Sequence, residues 1–319
     1  MNATRVGGVT GRFGAVVTAM VTPFDRLGEL DVDGAVRLAR WLGAHGSTAL
    51  VLAGTTGEGP TLSDAEKAEL WQAVADAVDL PVIANAGTND TRHSRALVDS
   101  ANRAGVDGIL AVTPYYNRPS QAGIEAHFAA ICDATALPVM LYDIPGRTGR
   151  RIDHGVVLRL VDRYANMAGV KDATGDVAAA GRLAECTPET FDVYCGDDAL
   201  TLPFLSVGAA GVISVAAHWA GPEFAAMCAA FGQGRTGDAR RIDATLAGSY
   251  AFESSDEAPN PVPAKAMMRV LGLPAGECRP PMGPAPNGLD AQARRLAEDL
   301  DRARARGTQT EGDAGALGA

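Results

Sequence analysis

At 319 residues with a net charge of −10, the chain can bury a core without staples, and its charge argues against nucleic acid, whose phosphates need a basic face. Five cysteines, odd in number and without a C-x-x-C pair, predict a reduced protein with buried thiols, and five scattered histidines predict no protein-ligated metal. The N-terminus lacks a signal-peptide pattern and no apolar run reaches the length of a membrane span, so a soluble cytoplasmic protein is expected.

Residues 1–12 are Gly-rich and are expected to form a disordered N-terminal segment. AVVTAM (15–20) is the first of eight short apolar runs. Asp31 and Asp33 then cap a predicted helix carrying Val32, Val36 and Ala39 on one side and ending at His45-Gly46. TALVLA (48–53) precedes Ser63-Asp-Ala-Glu66, a capping box ahead of Leu70, Val74 and Val78. PVIANA (81–86), DGILAVT (107–113) and PVMLY (138–142) alternate with the helical stretches HSRALVDSANRAG (93–105) and GIEAHFAAICDATA (123–136). MAGVK (167–171), FDVYC (191–195) and GVISVA (211–216) complete the series.

Each run is short, rich in β-branched residues and free of polar alternation, as a strand buried on both faces requires. Five of the starts lie about thirty residues apart, the span of a β-loop-α-loop unit. The pattern predicts an α/β fold, a (β/α)8 TIM barrel over 13–220. The alternative, an open doubly wound sheet, would want a strand leading into G-x-G-x-x-G, and none does. Beyond about residue 221 the strand signal stops, predicting C-terminal helices packed on the barrel over 221–302 and a disordered tail over 303–319.

Active sites of such barrels lie at the C-terminal strand ends. Lys171 ends the sixth run and is one of only three lysines among 28 cationic side chains. A lysine is usually a surface residue, but at a strand end it points into the mouth, where desolvation favours the neutral, nucleophilic amine. Such an amine condenses with a keto acid to an imine, a chemistry closed to arginine. Tyr142, ending the neighbouring strand, can move the protons that imine formation requires. Thr55 and Thr56, between glycines, can bind a carboxylate through hydroxyls and backbone N–H groups. Arg147, in the turn after Tyr142, suits a second carboxylate. Arg118 and four of the histidines (His45, His93, His127, His154) read as surface residues, and His218 stays undecided. Lys67 and Lys265 lie in helical segments with no such constellation around them.

The motifs GTTGE (54–58), TPYYNRPSQ (113–121), LYDIPGRTG (141–149), GVKDATGD (169–176) and CGDDALTLPFLSVGAAGVISV (195–215) stand in an order and spacing that resemble the dihydrodipicolinate synthase family. This family belongs to the class I pyruvate-dependent aldolase superfamily that also contains N-acetylneuraminate lyase. The resemblance runs from about Gly14 to Pro281. It implies that Lys171 forms a Schiff base with pyruvate, with no other cofactor. Tyr142, Thr55 and Tyr116 would form a proton relay, Tyr116 reaching into a neighbouring subunit's site. Thr56 would clamp the pyruvate carboxylate, Gly196 and Ile213 would line the imine pocket, and Arg147 would hold the carboxylate of L-aspartate-4-semialdehyde. The implied reaction yields 4-hydroxy-tetrahydrodipicolinate, on the route to diaminopimelate and lysine, in a homotetramer built from two tight dimers.

A sialic acid lyase, a keto-deoxy sugar acid aldolase or a 4-hydroxy-2-oxoglutarate aldolase are the alternatives, against which Arg147 and TPYYN speak. A non-catalytic barrel paralogue would have lost Lys171, Tyr142 or Thr55. Two departures stand out: Gly59-Pro60 where the family commonly has Ser, and His93 with Lys67 where lysine-inhibited members contact the effector. A cation where a cation must bind is unfavourable, so weak or absent lysine feedback is expected.

Overall fold

The computed structural model describes residues 11–316. Eight parallel strands close into a barrel: β1 (Val16–Ala19), β2 (Ala49–Leu52), β3 (Val82–Asn85), β4 (Gly108–Val112), β5 (Val139–Asp143), β6 (Met167–Asp172), β7 (Asp192–Cys195) and β8 (Gly211–Ser214). Each pairs with the next, and β8 returns to β1. The predicted eight-stranded barrel is the observed fold.

Between strands the chain forms α1 (Val32–Ala44), α2 (Asp64–Ala75), α3 (Thr91–Arg103), α4 (Gln121–Cys132), α5 (Pro145–Thr148), α6 (His154–Arg163), α7 (Val177–Cys186) and α8 (Thr201–Ser206). Asp31 caps α1 by accepting from Gly34 N–H, and the Ser63/Glu66 capping box opens α2. Then come α9 (Ala217–Gly232), α10 (Thr236–Phe252), α11 (Val262–Val270) and α12 (Leu289–Ala316). The boundary expected at 221 falls inside α9, which starts directly after β8 and bends where Ala220 leaves helical geometry beside Pro222. The boundary expected at 303 falls within α12. Of the N-terminal segment expected to be disordered, residues 1–10 lie outside the described residues; Arg12 donates its backbone N–H to Asp192 Oδ2 at 2.7 Å.

Alternate residues along each strand face the barrel interior or the helices. Val17, Val51, Ile83, Leu110, Met140, Tyr142, Tyr194 and Ile213 pack together inside the barrel. Their neighbours Val16, Leu50, Leu52, Val82, Ile109, Val139, Leu141 and Val193 pack outward in the larger helix-facing core. Both faces are therefore apolar, which is why the strands show no polar alternation. Tyr194 and Phe13 lie at the N-terminal end, where the Tyr194 hydroxyl donates to Gly14 O at 2.9 Å and accepts from Phe13 N–H at 3.2 Å.

The cysteines are free thiols, but only Cys132, Cys195 and Cys228 are buried; Cys186 is exposed and Cys278 partly so. Among the described residues no helix is long and apolar enough to cross a membrane.

Candidate active site

A cavity of about 330 Å³ is built at the C-terminal strand ends, with Thr55, Lys67, Asn85, Tyr115, Tyr142, Arg147 and Asn260 among its walls. Strands β5 and β6 run in register, so that Tyr142 lies opposite Lys171 and Asp143 opposite Asp172. Because Tyr142 faces the barrel interior, its register partner Lys171 does too. Lys171 is 6% exposed, and its Nζ lies 4.4 Å from the Tyr142 ring centroid. Glycine at 196 leaves room for this side chain: a Cβ there would come within 3.1 Å of Lys171 Cε and 2.9 Å of Ala173 Cβ. Ile213 packs in the same interior layer as Tyr142.

The loop after β2 brings Thr55 to the cavity wall. Thr56 is buried, and its Oγ1 accepts a hydrogen bond from Asn260 Nδ2 at 3.1 Å. Gly59 is required by the fold of this loop, since a Cβ would sit 2.1 Å from Ala53 O. The family's serine at this position would not fit the conformation seen here. Arg147 lines the cavity from α5, a single turn started by Pro145, and its side chain is exposed. Tyr116 stands apart from this constellation, 90% exposed and with φ at +71°. A large aromatic held in the left-handed region and presented to solvent is a costly arrangement for an isolated chain.

Several groups at the site escape a reading of the sequence. Lys265 is fully buried on α11, with Nζ 2.6 Å from Glu58 Oε1, 3.0 Å from the Glu277 carbonyl it donates to, and 4.1 Å from the centroid of Phe24. Glu58 itself has φ at +53° and accepts the Arg279 N–H at 2.8 Å through Oε2. The expectation that Lys265 has no constellation is thus wrong: its partner is 207 positions away. Lys67 has no such partner among the described residues, but it is 7% exposed and part of the cavity wall. His127 was expected at the surface but is buried, bonded through Nδ1 to Thr91 Oγ1 at 2.8 Å, and burial pulls its pKa down to about 4. His93 is partly exposed and pairs with Asp64 at 2.9 Å. His218 is completely buried: Nε2 accepts from Val21 N–H, so Nδ1 carries the proton it donates to Val215 O, and burial again pulls its pKa down to about 4. It holds the ends of β1 and β8 together as a neutral ring.

Two acidic groups sit beside the reacting strand ends. Glu253, at the end of α10, is held well above the carboxylate range by burial and by Asp198, with Lys171's charge opposing. Asp198 in turn accepts the N–H groups of Val215 (2.9 Å) and Ala216 (2.6 Å) through Oδ2. Asp143 is 5% exposed and accepts Ile152 N–H at 3.1 Å. Burial raises its pKa to about 7; Asp172 adds to the rise, while the Ile152 amide and Arg151 oppose it.

An acid whose folded pKa is raised binds more protons in the native than in the unfolded state between about pH 4 and about 7, so stability falls as pH rises through that window. Asp143→Asn removes this penalty. The substitution should raise the melting temperature more at about pH 8 than at about pH 4.5. Equal gains at both values, measured by thermal denaturation, would exclude the assignment.

A model of the dihydrodipicolinate synthetase family matches residues 12–300. The 4-hydroxy-tetrahydrodipicolinate synthase of Moorella thermoacetica is 48% identical over 273 residues, covering 85% of this chain and 92% of that protein. The enzyme of the same name from Bacillus subtilis is 44% identical over 274 residues, covering 85% and 94%. Among solved structures, a Bacillus anthracis dihydrodipicolinate synthase superposes with a TM-score of 0.87 at 41% identity, covering 91% of this chain and 99% of its own. The Cyanidioschyzon merolae enzyme, solved with lysine bound, gives a TM-score of 0.88 at 40% identity with the same coverage.

Proposed function

The chain belongs to the dihydrodipicolinate synthetase family, and we propose that it is a 4-hydroxy-tetrahydrodipicolinate synthase whose chemistry runs through Lys171. It is a lyase that joins pyruvate to L-aspartate-4-semialdehyde on the route to lysine. The observation that carries the mechanism is the buried Lys171 amine over the Tyr142 ring, beside a cavity that also holds Thr55 and Arg147.

Lys171 Nζ attacks the C2 carbonyl of pyruvate, and the carbinolamine expels water to give a protonated imine. The imine draws electrons from C3, so loss of a C3 proton gives an enamine. C3 then bonds to the aldehyde carbon, whose oxygen takes up a proton. The amino group of the semialdehyde portion attacks the imine carbon, closes the ring and releases Lys171 as the free amine. One water is lost overall, and every proton moves between oxygen, nitrogen and carbon. Tyr142 and Thr55 carry those protons as general acid and base. Thr56 holds the pyruvate carboxylate, and Gly196 and Ile213 shape the pocket around the imine.

Arg147 holds the second carboxylate. Its exposure fits a group waiting for an incoming anion, and it distinguishes this reading from sugar-acid aldolases. Arg147→Ala should raise KM for the semialdehyde roughly 10- to 100-fold, the worth of a charge-assisted bidentate contact, while pyruvate adduct formation is unchanged. Equal loss of adduct formation would contradict the role.

Tyr116 acts in a second copy. Its exposed aromatic, held by a left-handed backbone, supports a homotetramer of tight dimers in which it completes a neighbour's proton relay. The overall reading is tested by incubating the protein with pyruvate and borohydride, locating the adduct by peptide mass, and comparing turnover of L-aspartate-4-semialdehyde with cleavage of N-acetylneuraminate. An adduct on Lys171 with turnover of the semialdehyde alone is expected. An adduct without that turnover would refute the substrate, and no adduct would refute the mechanism.

A further inference from the structure

Eight threonines among the described residues are buried. Six of them, Thr22, Thr88, Thr113, Thr148, Thr187 and Thr201, donate the hydroxyl proton to a backbone carbonyl at 2.6 to 3.1 Å. Thr18 shares a hydrogen bond with the Ser47 hydroxyl. Thr56 is the exception. Its Oγ1 accepts from Asn260 Nδ2 at 3.1 Å and donates to no acceptor among the described residues. A buried hydroxyl normally places its proton as well as its lone pairs. At 2% exposure, the Thr56 proton is free for a ligand rather than for bulk water.

The polarity of this bond is set by the amide. An amide nitrogen only donates, so Thr56 receives, and a hydroxyl that receives on one side turns its proton to another. Asn260 is well placed to impose that direction. It is 9% exposed, lies on the cavity wall, and donates its backbone N–H to Ser254 Oγ at 3.3 Å. Its amide oxygen is buried and receives no hydrogen bond, so the bond to Thr56 is the side chain's one polar contact among the described residues. The loop after β2 does not depend on that contact alone, because Lys265 and the Arg279 N–H both hold Glu58, two residues on. What Asn260 adds is the direction of one proton.

We propose that Asn260 is a positioning residue for pyruvate: by donating to Thr56 Oγ1, it makes the Thr56 hydroxyl a donor aimed at the pyruvate carboxylate. The proposal rests on the reading of Thr56 as the clamp for that carboxylate. With the opposite polarity the hydroxyl would give its proton to Asn260 and turn lone pairs toward an anion, an unfavourable contact.

The test uses the full chain and reads the pyruvate concentration that half-saturates the borohydride-trapped adduct, as a ratio of variant to wild type at each pH. Asn260→Asp keeps the shape, but an ionised carboxylate only accepts, so it draws the Thr56 proton away from pyruvate. The ratio should be at least about tenfold near pH 8.5, the loss of one charge-assisted hydrogen bond. It should fall toward unity near about pH 5.5, because burial raises the introduced carboxyl's pKa and the protonated acid again donates to Thr56. The charged groups around it are Glu58, paired with Lys265, and Lys67 and Arg147 on the cavity wall; Asp143 titrates at about 7. All are present in both proteins, so their own titration cancels in the ratio.

Asn260→Leu, which neither donates nor accepts, should raise the ratio by a smaller factor that does not change with pH. On a Thr56→Val background, neither substitution should weaken pyruvate further. Should Asn260→Asp fail to fold, Asn260→Leu carries the comparison with Thr56→Val. A ratio near unity for Asn260→Asp at about pH 8.5, a raised ratio that does not fall with pH, or additivity with Thr56→Val would each overturn the proposal alone. A wild type without an adduct would refute the Schiff-base reading, and an adduct whose pyruvate dependence Thr56→Val leaves unchanged would refute the clamp; either result takes this proposal with it.

Discussion

Lys171→Arg is expected to abolish the borohydride-trapped pyruvate adduct and to lower kcat/KM on the order of 10⁴-fold or more. The substitution keeps the positive charge and most of the apolar stem, so loss of activity cannot be assigned to a lost cation. What it removes is a nitrogen that can shed its proton and form a carbon–nitrogen double bond. The site around it is tight: Lys171 is 6% exposed, with Tyr142 on one side and Gly196 on another. A melting temperature measured alongside controls for packing strain from the larger guanidinium. Retention of more than a tenth of the activity by a folded Lys171→Arg would mean that another group is the nucleophile.

Lys265→Met is expected to destabilise the protein by about 3–5 kcal/mol, the cost of stranding one member of a buried ion pair. Both partners are sealed from water, with side chains 0% and 1% exposed. After the substitution the Glu58 carboxylate would keep the Arg279 amide, donated at 2.8 Å, and the Cys278 thiol, with no charge to balance its own. Glu58 belongs to the loop that carries Thr55 and Thr56, so the damage should reach activity as well as stability. The double substitution Glu58→Gln with Lys265→Met should recover much of the loss, because a neutral pair leaves no buried charge. Chemical denaturation of the three variants measures both effects. A single variant as stable as the wild type would show that the pair is dispensable.

The barrel was legible because each strand is buried on both faces, and such strands write themselves as short continuous apolar runs. The strand ends were legible for the same reason: where the apolar run stops, the next residue faces the mouth. Thr55, Tyr142 and Arg147 accordingly line one cavity, with Lys171 over the Tyr142 ring. The boundary at 221 was misplaced because α9 begins without a capping side chain and is interrupted at Ala220–Pro222, so its first turn has no helical signature. His127 was misread because α4 is apolar on most of its surface, with Ile124, Phe128 and Ile131 also buried, and no polar face marks the outside.

The amino-acid sequence by itself determined the fold and the family, and it singled out Lys171 as the proposed nucleophile. These depend on local periodicity, on which residue types can do the chemistry, and on linked motifs along the chain. Tertiary structure alone decided the fate of the other two lysines. Lys265 found Glu58, 207 positions away, and Lys67 came to line the cavity with no ion pair among the described residues. Ion pairing depends on distance in space and on desolvation, and neither has a period that a linear sequence can display.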